Sequence, residues 1–188
     1  MTTDCGPTIY WLDANDCIER VASETWDAFA AANKGDAALS DRIVGRPLRE
    51  FISGDSTQMW VNALIAYARL LDKPVRRDYR CDSPTEKRYM SMEITPLEDE
   101  RLRVENRLLR TEDLGGELNF VTAGADGERF TQRCSICNKL RVHDVWVEPH
   151  PTALEQEASE RAPIPVIYTV CSSCRDALHT QPQYTASS

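Results

Sequence analysis

No stretch of this 188-residue chain approaches the ~20 consecutive apolar residues that cross a bilayer. Its first residues, Met1-Thr2-Thr3-Asp4-Cys5, lack the basic-then-apolar pattern of a secretory leader. Membrane insertion is therefore not expected, and the cytoplasm is the expected compartment. Excess positive charge is missing as well. Thirty acidic against 22 basic residues give a net charge of −8, which opposes a phosphate backbone and makes nucleic acid an unexpected partner. Catalytic motifs are absent: there is no Gly-x-x-x-x-Gly-Lys phosphate loop and no Gly-x-Ser-x-Gly turn. The chain is not expected to be an enzyme. Histidine is scarce, and all three, His143, His150 and His179, lie in the last quarter.

What is present is a composition of 41% hydrophobic and 28% charged residues, that of a globular protein able to hold one ordinary domain and a small appendage. Seven cysteines, an odd number, include two tight pairs, and this fits a reducing compartment better than a disulfide framework. Cys134 and Cys137 stand in Cys-Ser-Ile-Cys, Cys171 and Cys174 in Cys-Ser-Ser-Cys. Two intervening residues let both sulfurs of a pair face one point, and two pairs supply the four thiolates of a closed tetrahedral Zn²⁺ site. The spacer of 33 residues, 138–170, is longer than the commonest zinc-ribbon spacing. Structural zinc is the leading reading; redox-active dithiols and unrelated buried thiols are the alternatives. A closed four-thiolate site builds structure and leaves no position for a reacting water.

Along the chain, Ile9 to Leu12 and Ile18 to Ala22 read as a hairpin. Ser23 caps a helix ended by Asn33-Lys34-Gly35, and Gly45-Arg46-Pro47-Leu48 marks a break with a short helix. Trp60, Leu64, Tyr67 and Leu71 recur at helical spacing between Thr57 and Leu71. Val75 to Cys81 is a strand. Met90, Met92 and Ile94 alternate with Ser91, Glu93 and Thr95, and Leu102, Val104 and Leu108 with Arg103, Glu105 and Arg107, so two further strands each have one buried face. The fold class is α+β: an antiparallel sheet with helices on one side. Residues 111–129 read as a linker, 130–179 as the cysteine module with an exposed excursion at 156–165, and 180–188 as a frayed tail.

Four segments in order resemble one bacterial subgroup of PAS sensor domains. They are Trp26-Asp27-Ala28-Phe29-Ala30, Ile43-Val44-Gly45-Arg46-Pro47-Leu48 with Phe51-Ile52, Cys81-Asp82-Ser83-Pro84, and Met90-Ser91-Met92-Glu93-Ile94-Thr95-Pro96-Leu97. The resemblance covers residues 1–110. It implies a PAS-like five-stranded sheet around a small interior that is either filled by side chains or holds an unidentified small molecule. Cys134-Ser135-Ile136-Cys137-Asn138-Lys139-Leu140-Arg141 with Trp146 is similar to a cysteine-pair tail found beyond PAS modules in bacterial signalling proteins; that pattern often has His-Gly before its second pair, where Tyr168-Thr169-Val170 stand here.

Such relatives sometimes hold haem or flavin. The PAS-like part has no histidine for haem, Cys17 and Cys81 read more simply as strand residues, and the flavin-reactive Asn-Cys-Arg-Phe-Leu-Gln is absent. Lys139 and Arg141 either offset the charge of a Zn(Cys)₄ centre or are solvated. Arg76, Arg77, Arg80, Lys87 and Arg88 read as a solvated strand surface. The function expected is a cytoplasmic signalling module that acts by ligand- or partner-dependent association, as a homodimer or with a separate signalling protein, with Tyr10 and Trp11 near the contact. The alternatives are a thiol switch that oxidises its cysteine pairs and releases zinc, and a DNA-associated regulator using the Arg76-to-Arg88 face.

Overall fold

The structure, a computed structural model, describes residues 6–32, 38–124, 130–151 and 163–178. The chain opens with the hairpin β1 (Thr8–Leu12) and β2 (Ile18–Val21). Period-two alternation turns Thr8, Tyr10 and Leu12 into the interior and leaves Ile9 and Trp11 on the other face. The Asp13 carboxylate closes the turn by accepting the N–H groups of Asn15 and Cys17, each at 2.8 Å. Helix α1 (Ser23–Ala32) follows. Its Trp26 indole donates to the Ala38 carbonyl at 2.6 Å, and its Asp27 carboxylate accepts both the N–H and the hydroxyl of Ser40 at 2.8 Å. These bonds fix the short α2 (Ser40–Ile43), after which one 3-10 turn (Leu48–Phe51) leads to Gly54.

Gly54, at φ +83°, starts α3 (Asp55–Leu71). Trp60, Val61, Leu64, Ile65 and Ala68 are buried, the three-to-four spacing of an amphipathic helix. Tyr67 and Leu71, expected on the same stripe, lie at its margin and are only half-buried. Strands β3 (Val75–Arg80), β4 (Glu86–Pro96) and β5 (Leu102–Asp113) complete an antiparallel sheet of order β2-β1-β5-β4-β3. Leu12 pairs with Leu102, Tyr10 and Ile94 with Val104, and Val75 with Ile94, so one face carries an unbroken apolar set. Trp60 and its helix neighbours join these residues in a single core. Burying each such side chain contributes about 1.5–3 kcal/mol. The fold is α+β, with a five-stranded antiparallel sheet.

A second five-stranded sheet, which the sequence reading does not foresee, is built from β6 (Phe120–Thr122), β7 (Thr131–Cys134), β8 (Leu140–Val142), β9 (Val145–Val147) and β10 (Ile164–Thr169). Its order is β6-β10-β7-β8-β9, with β10 parallel to both β6 and β7. Helix α4 (Ser172–Leu178) closes the described chain. No helix among the described residues is long and apolar enough to cross a membrane.

The stretch 111–129, read as a linker, carries ordered elements. Thr111 to Asp113 extend β5, Leu114 and Leu118 are buried, and Phe120–Thr122 form β6. Glycines and acids obscured two isolated leucines, each of which fills a core site. The backbone N–H groups of Leu114 and Leu118 donate to the carbonyls of Thr85 and Pro84, which fastens this segment to the β3–β4 turn. The helix end at Asn33-Lys34-Gly35, most of the 156–165 excursion, His179 and the 180–188 tail lie outside the described residues.

Candidate metal centre

The first cysteine pair sits where β7 ends. Cys134 is the last residue of that strand, and the chain turns back at once into β8 through Ser135 to Lys139. Two backbone bonds shape this knuckle: Asn138 N–H donates to the Cys134 carbonyl at 3.0 Å, and Cys134 N–H to the Lys139 carbonyl at 2.9 Å. Asn138 takes φ +59°, a left-handed conformation that asparagine tolerates better than most residues. The second pair sits at the start of α4. Cys171 immediately precedes the helix and Cys174 lies in its first turn. Knuckle, β8–β9 hairpin, returning strand and helix thus bring two sequence-distant pairs to one place.

The ligand sulfurs of Cys134, Cys137, Cys171 and Cys174 all lie within 4.8 Å of one another, and the four residues could hold a metal ion. Cys137 and Cys171 have sulfurs 3.7 Å apart. A disulfide would need about 2.05 Å, whereas a regular tetrahedron with arms of about 2.3 Å has edges of about 3.8 Å. The spacing therefore fits shared coordination. Backbone N–H groups turn toward the sulfurs: Cys171 donates to Cys134 Sγ and Cys174 to Cys171 Sγ, each at 3.4 Å. Cys134 and Cys171 are buried, while Cys137 and Cys174 are half-buried.

Electrostatics in the thiol cluster point the same way. Hydrogen bonds from Cys137 and Cys174 hold the Cys134 thiol far below its ordinary range. Its hydrogen bond to Cys134 pushes Cys137 up to about 12, and Cys174 is raised by its bonds to Cys134 and Cys137. One thiolate forms readily and then opposes the next. A cation at the centre removes that opposition, because all four thiolates then gain a common partner. No histidine belongs to the cluster among the described residues. His143 and His150 are exposed. Lys139 and Arg141 approach the carboxylates of Glu148 and Asp144, at 3.9 and 2.8 Å.

The knuckle is built into the core of the first sheet. Cys134, Ile136 and Cys171 belong to the same apolar cluster as Trp60, Met92 and Ile94, with Trp146 packed against it. Arg80, the last residue of edge strand β3, donates its N–H to the Ile136 carbonyl at 2.8 Å. Its own carbonyl accepts the Asn138 side-chain amide at 3.2 Å. The guanidinium of Arg80 is buried against Asp82 at 2.7 Å and reaches Glu148 at 2.5 Å. Arg133 approaches the same Asp82 at 3.5 Å, and Lys87 lies 3.6 Å from Glu148.

Arg80 therefore departs from the expected solvated strand surface: its buried guanidinium is paired by Asp82 of the β3–β4 turn and by Glu148 just beyond β9. Arg76 fits that expectation better, half-exposed and bonded through Nε to Ser91 Oγ at 2.8 Å. Tyr10 also departs from expectation. It is 6% exposed and faces the interior, where burial pushes its phenol up and an Asn106 hydrogen bond only partly offsets this. It cannot offer a contact surface. Trp11 lies on the opposite face of β1, under the Arg20 guanidinium at 3.6 Å. Within the interior, the Tyr79 hydroxyl donates to Asn106 Oδ1 at 3.0 Å, and the buried Trp60 Nε1 has no hydrogen-bond partner among the described residues.

No protein-family model and no curated protein matches the chain. Among solved structures it is similar to a domain of an HTR-like protein from Haloarcula marismortui, at 16% identity and a TM-score of 0.42, covering 55% of this chain and 98% of that one. It is also similar to the PAS domain of an HTR-like protein from Haloarcula marismortui, at 19% identity and a TM-score of 0.32, covering 55% of this chain and 81% of that one. Likenesses this distant say nothing about ligand or activity. The expected tie to a bacterial subgroup finds no support among these archaeal structures.

Proposed function

We propose that the chain is a sensory signalling module whose cysteine centre holds one structural Zn²⁺ and whose output is ligand- or partner-dependent association. The observation that carries the metal assignment is the all-cysteine donor set with mutual sulfur separations within 4.8 Å. A tetrahedral four-thiolate set suits zinc or iron, and zinc is the ion that such closed structural sites ordinarily hold. Four protein ligands leave no coordination position for substrate, so the metal serves folding. The sensory part of the reading rests on the sheet with its helix-covered face, the arrangement that the PAS resemblance implies. Trp60 Nε1, a buried donor without an acceptor among the described residues, is a group that a small molecule in that interior could satisfy.

Output through association is favoured because the sequence carries no catalytic motif. The DNA-associated alternative is disfavoured by Arg80 and Lys87, whose charges meet Asp82 and Glu148. Metal content measured before and after mild peroxide tests the structural role. Retention of zinc supports it; release with formation of Cys–Cys bonds supports the thiol switch instead. Sedimentation across micromolar concentrations tests association. A complex that weakens in Trp11→Glu while zinc content holds supports the reading, and a strict monomer with no ligand response contradicts it.

A further inference from the structure

Each cysteine pair is fastened to a different wall of the first sheet's interior. The pair Cys134–Cys137 is tied to β3: Arg80 gives its N–H to Ile136 and its carbonyl to Asn138. The pair Cys171–Cys174 is tied to the start of α3. Ser56 Oγ donates to the Tyr168 carbonyl at 3.1 Å, three residues before Cys171. The Tyr168 ring fills the space over Gly54 so closely that an added Cβ would stand 2.5 Å from it. Across the interior, Trp60 of α3 and Tyr79 of β3 face each other with ring centroids 6.0 Å apart. Starting from β3, the connections run through the knuckle, the four sulfurs and β10 to α3, and return through the Tyr79–Trp60 contact.

We infer that the metal is the clasp of this ring, so that its occupancy holds α3 against β3 and its loss frees those two walls while the centre of the sheet stays closed. The inference rests on the metal reading of the cysteine cluster. Bound metal joins two segments that are otherwise linked to each other by β7–β10 pairing and packing. Without it, the four thiols have only weak mutual hydrogen bonds, and the knuckle that holds Arg80 loses its brace. Arg80 is the point of strongest leverage. It ends an edge strand, and an edge strand without its cover has unpaired backbone groups. Strands β1 and β5 do not share this dependence, since neither has β3 as a neighbour in the sheet. Filling of the interior and filling of the metal centre are then linked, each favouring the other.

Hydrogen exchange of the full chain, read by mass spectrometry before and after removal of metal with a chelator, tests the clasp. The expected result is exchange faster by about tenfold or more at residues 79–81 and 54–60, with β1 and the centre of β5 unchanged. Asn138→Gly keeps all four cysteines and the left-handed turn but removes the amide on Arg80. It should retain full metal content and still speed exchange at residues 79–81, with residues 54–60 protected. Metal removed with no change at either wall overturns the clasp, as does uniform loss of protection over the whole sheet. A freshly purified chain containing no metal overturns the metal reading instead, and the metal assay distinguishes the two failures.

Discussion

Asn138 donates its side-chain amide to the main-chain carbonyl of Arg80, 58 positions earlier in the sequence, at 3.2 Å. Both residues are buried, and neither belongs to a cysteine pair. Their bond joins the end of an edge strand to the knuckle that presents two candidate metal ligands. Much of what the molecule is expected to do under perturbation follows from this junction.

Replacing Cys137 by Ser removes one of four thiolates. Structural zinc contributes on the order of 10–16 kcal/mol to ordering small modules, and three remaining thiolates hold it far less tightly. Bound metal should fall well below one per chain, and the second sheet should lose its cooperative melting. Metal analysis with near-UV circular dichroism checks both.

Asp82 lies between Arg80 and Arg133 with its side chain 1% exposed. Asp82→Asn keeps the shape but leaves two buried guanidinium groups short of a counter-charge. Breaking a buried pair in this way costs about 3–5 kcal/mol, which denaturant unfolding would register as a lowered midpoint. Arg76→Ala, at the half-exposed start of the same strand, should change stability by less than about 1 kcal/mol.

Gly54 and Gly45 share φ +83° but not their surroundings. Among the described residues an added Cβ at Gly45 meets nothing within 4 Å, whereas at Gly54 it meets the Tyr168 ring. Gly45→Ala should cost about 1–2 kcal/mol from backbone strain alone. Gly54→Ala should cost more, because the tyrosine that leads into the second cysteine pair must also shift. Thermal melting checks this, with a larger drop expected for Gly54→Ala than for Gly45→Ala.

Glu105, in the middle of β5, is nearly buried between Arg103 and Arg107. Burial alone would raise its pKa, but the two guanidinium groups outweigh this and hold it below the ordinary 4.5. Its contribution to stability is therefore present above the unfolded-state value and fades as pH falls through the lower folded value. Wild type should exceed Glu105→Gln in stability at neutral pH, with the gap closing only in acid below about pH 4. A gap independent of pH would contradict this.

The first sheet was legible because Met90, Met92, Ile94, Leu102 and Val104 alternate with polar residues, although Ser91 and Glu105 between them are buried as well and Leu108, expected inside, is exposed. Met90, Met92 and Ile94 against Leu102 and Val104 can satisfy only one register, and all five are buried. The cysteine pairs were legible because thiolate chemistry demands close spacing within each pair. What remained hidden was long-range. Leu114 and Leu118 are single apolar residues among glycines and acids, too few to show a period. Arg80 looked like its neighbours Arg76 and Arg77, since its partner Glu148 is 68 positions away. Tyr10 and Trp11 are adjacent, so strand geometry must send them to opposite faces; the hairpin itself allows Trp11 outside and Tyr10 within. One local signal did exist at the knuckle, an asparagine directly after the second cysteine, a residue type suited to the left-handed turn found there.

The central claim is that one zinc ion, held by Cys134, Cys137, Cys171 and Cys174, joins the two sheets into one folded unit. Native mass spectrometry of the freshly purified full chain tests it most directly. The account predicts one zinc per chain that survives exchange into metal-free buffer and is absent from Cys137→Ser. A chain that flies metal-free, with the thiols of Cys134, Cys137, Cys171 and Cys174 all open to alkylation and an unchanged fold, would contradict it.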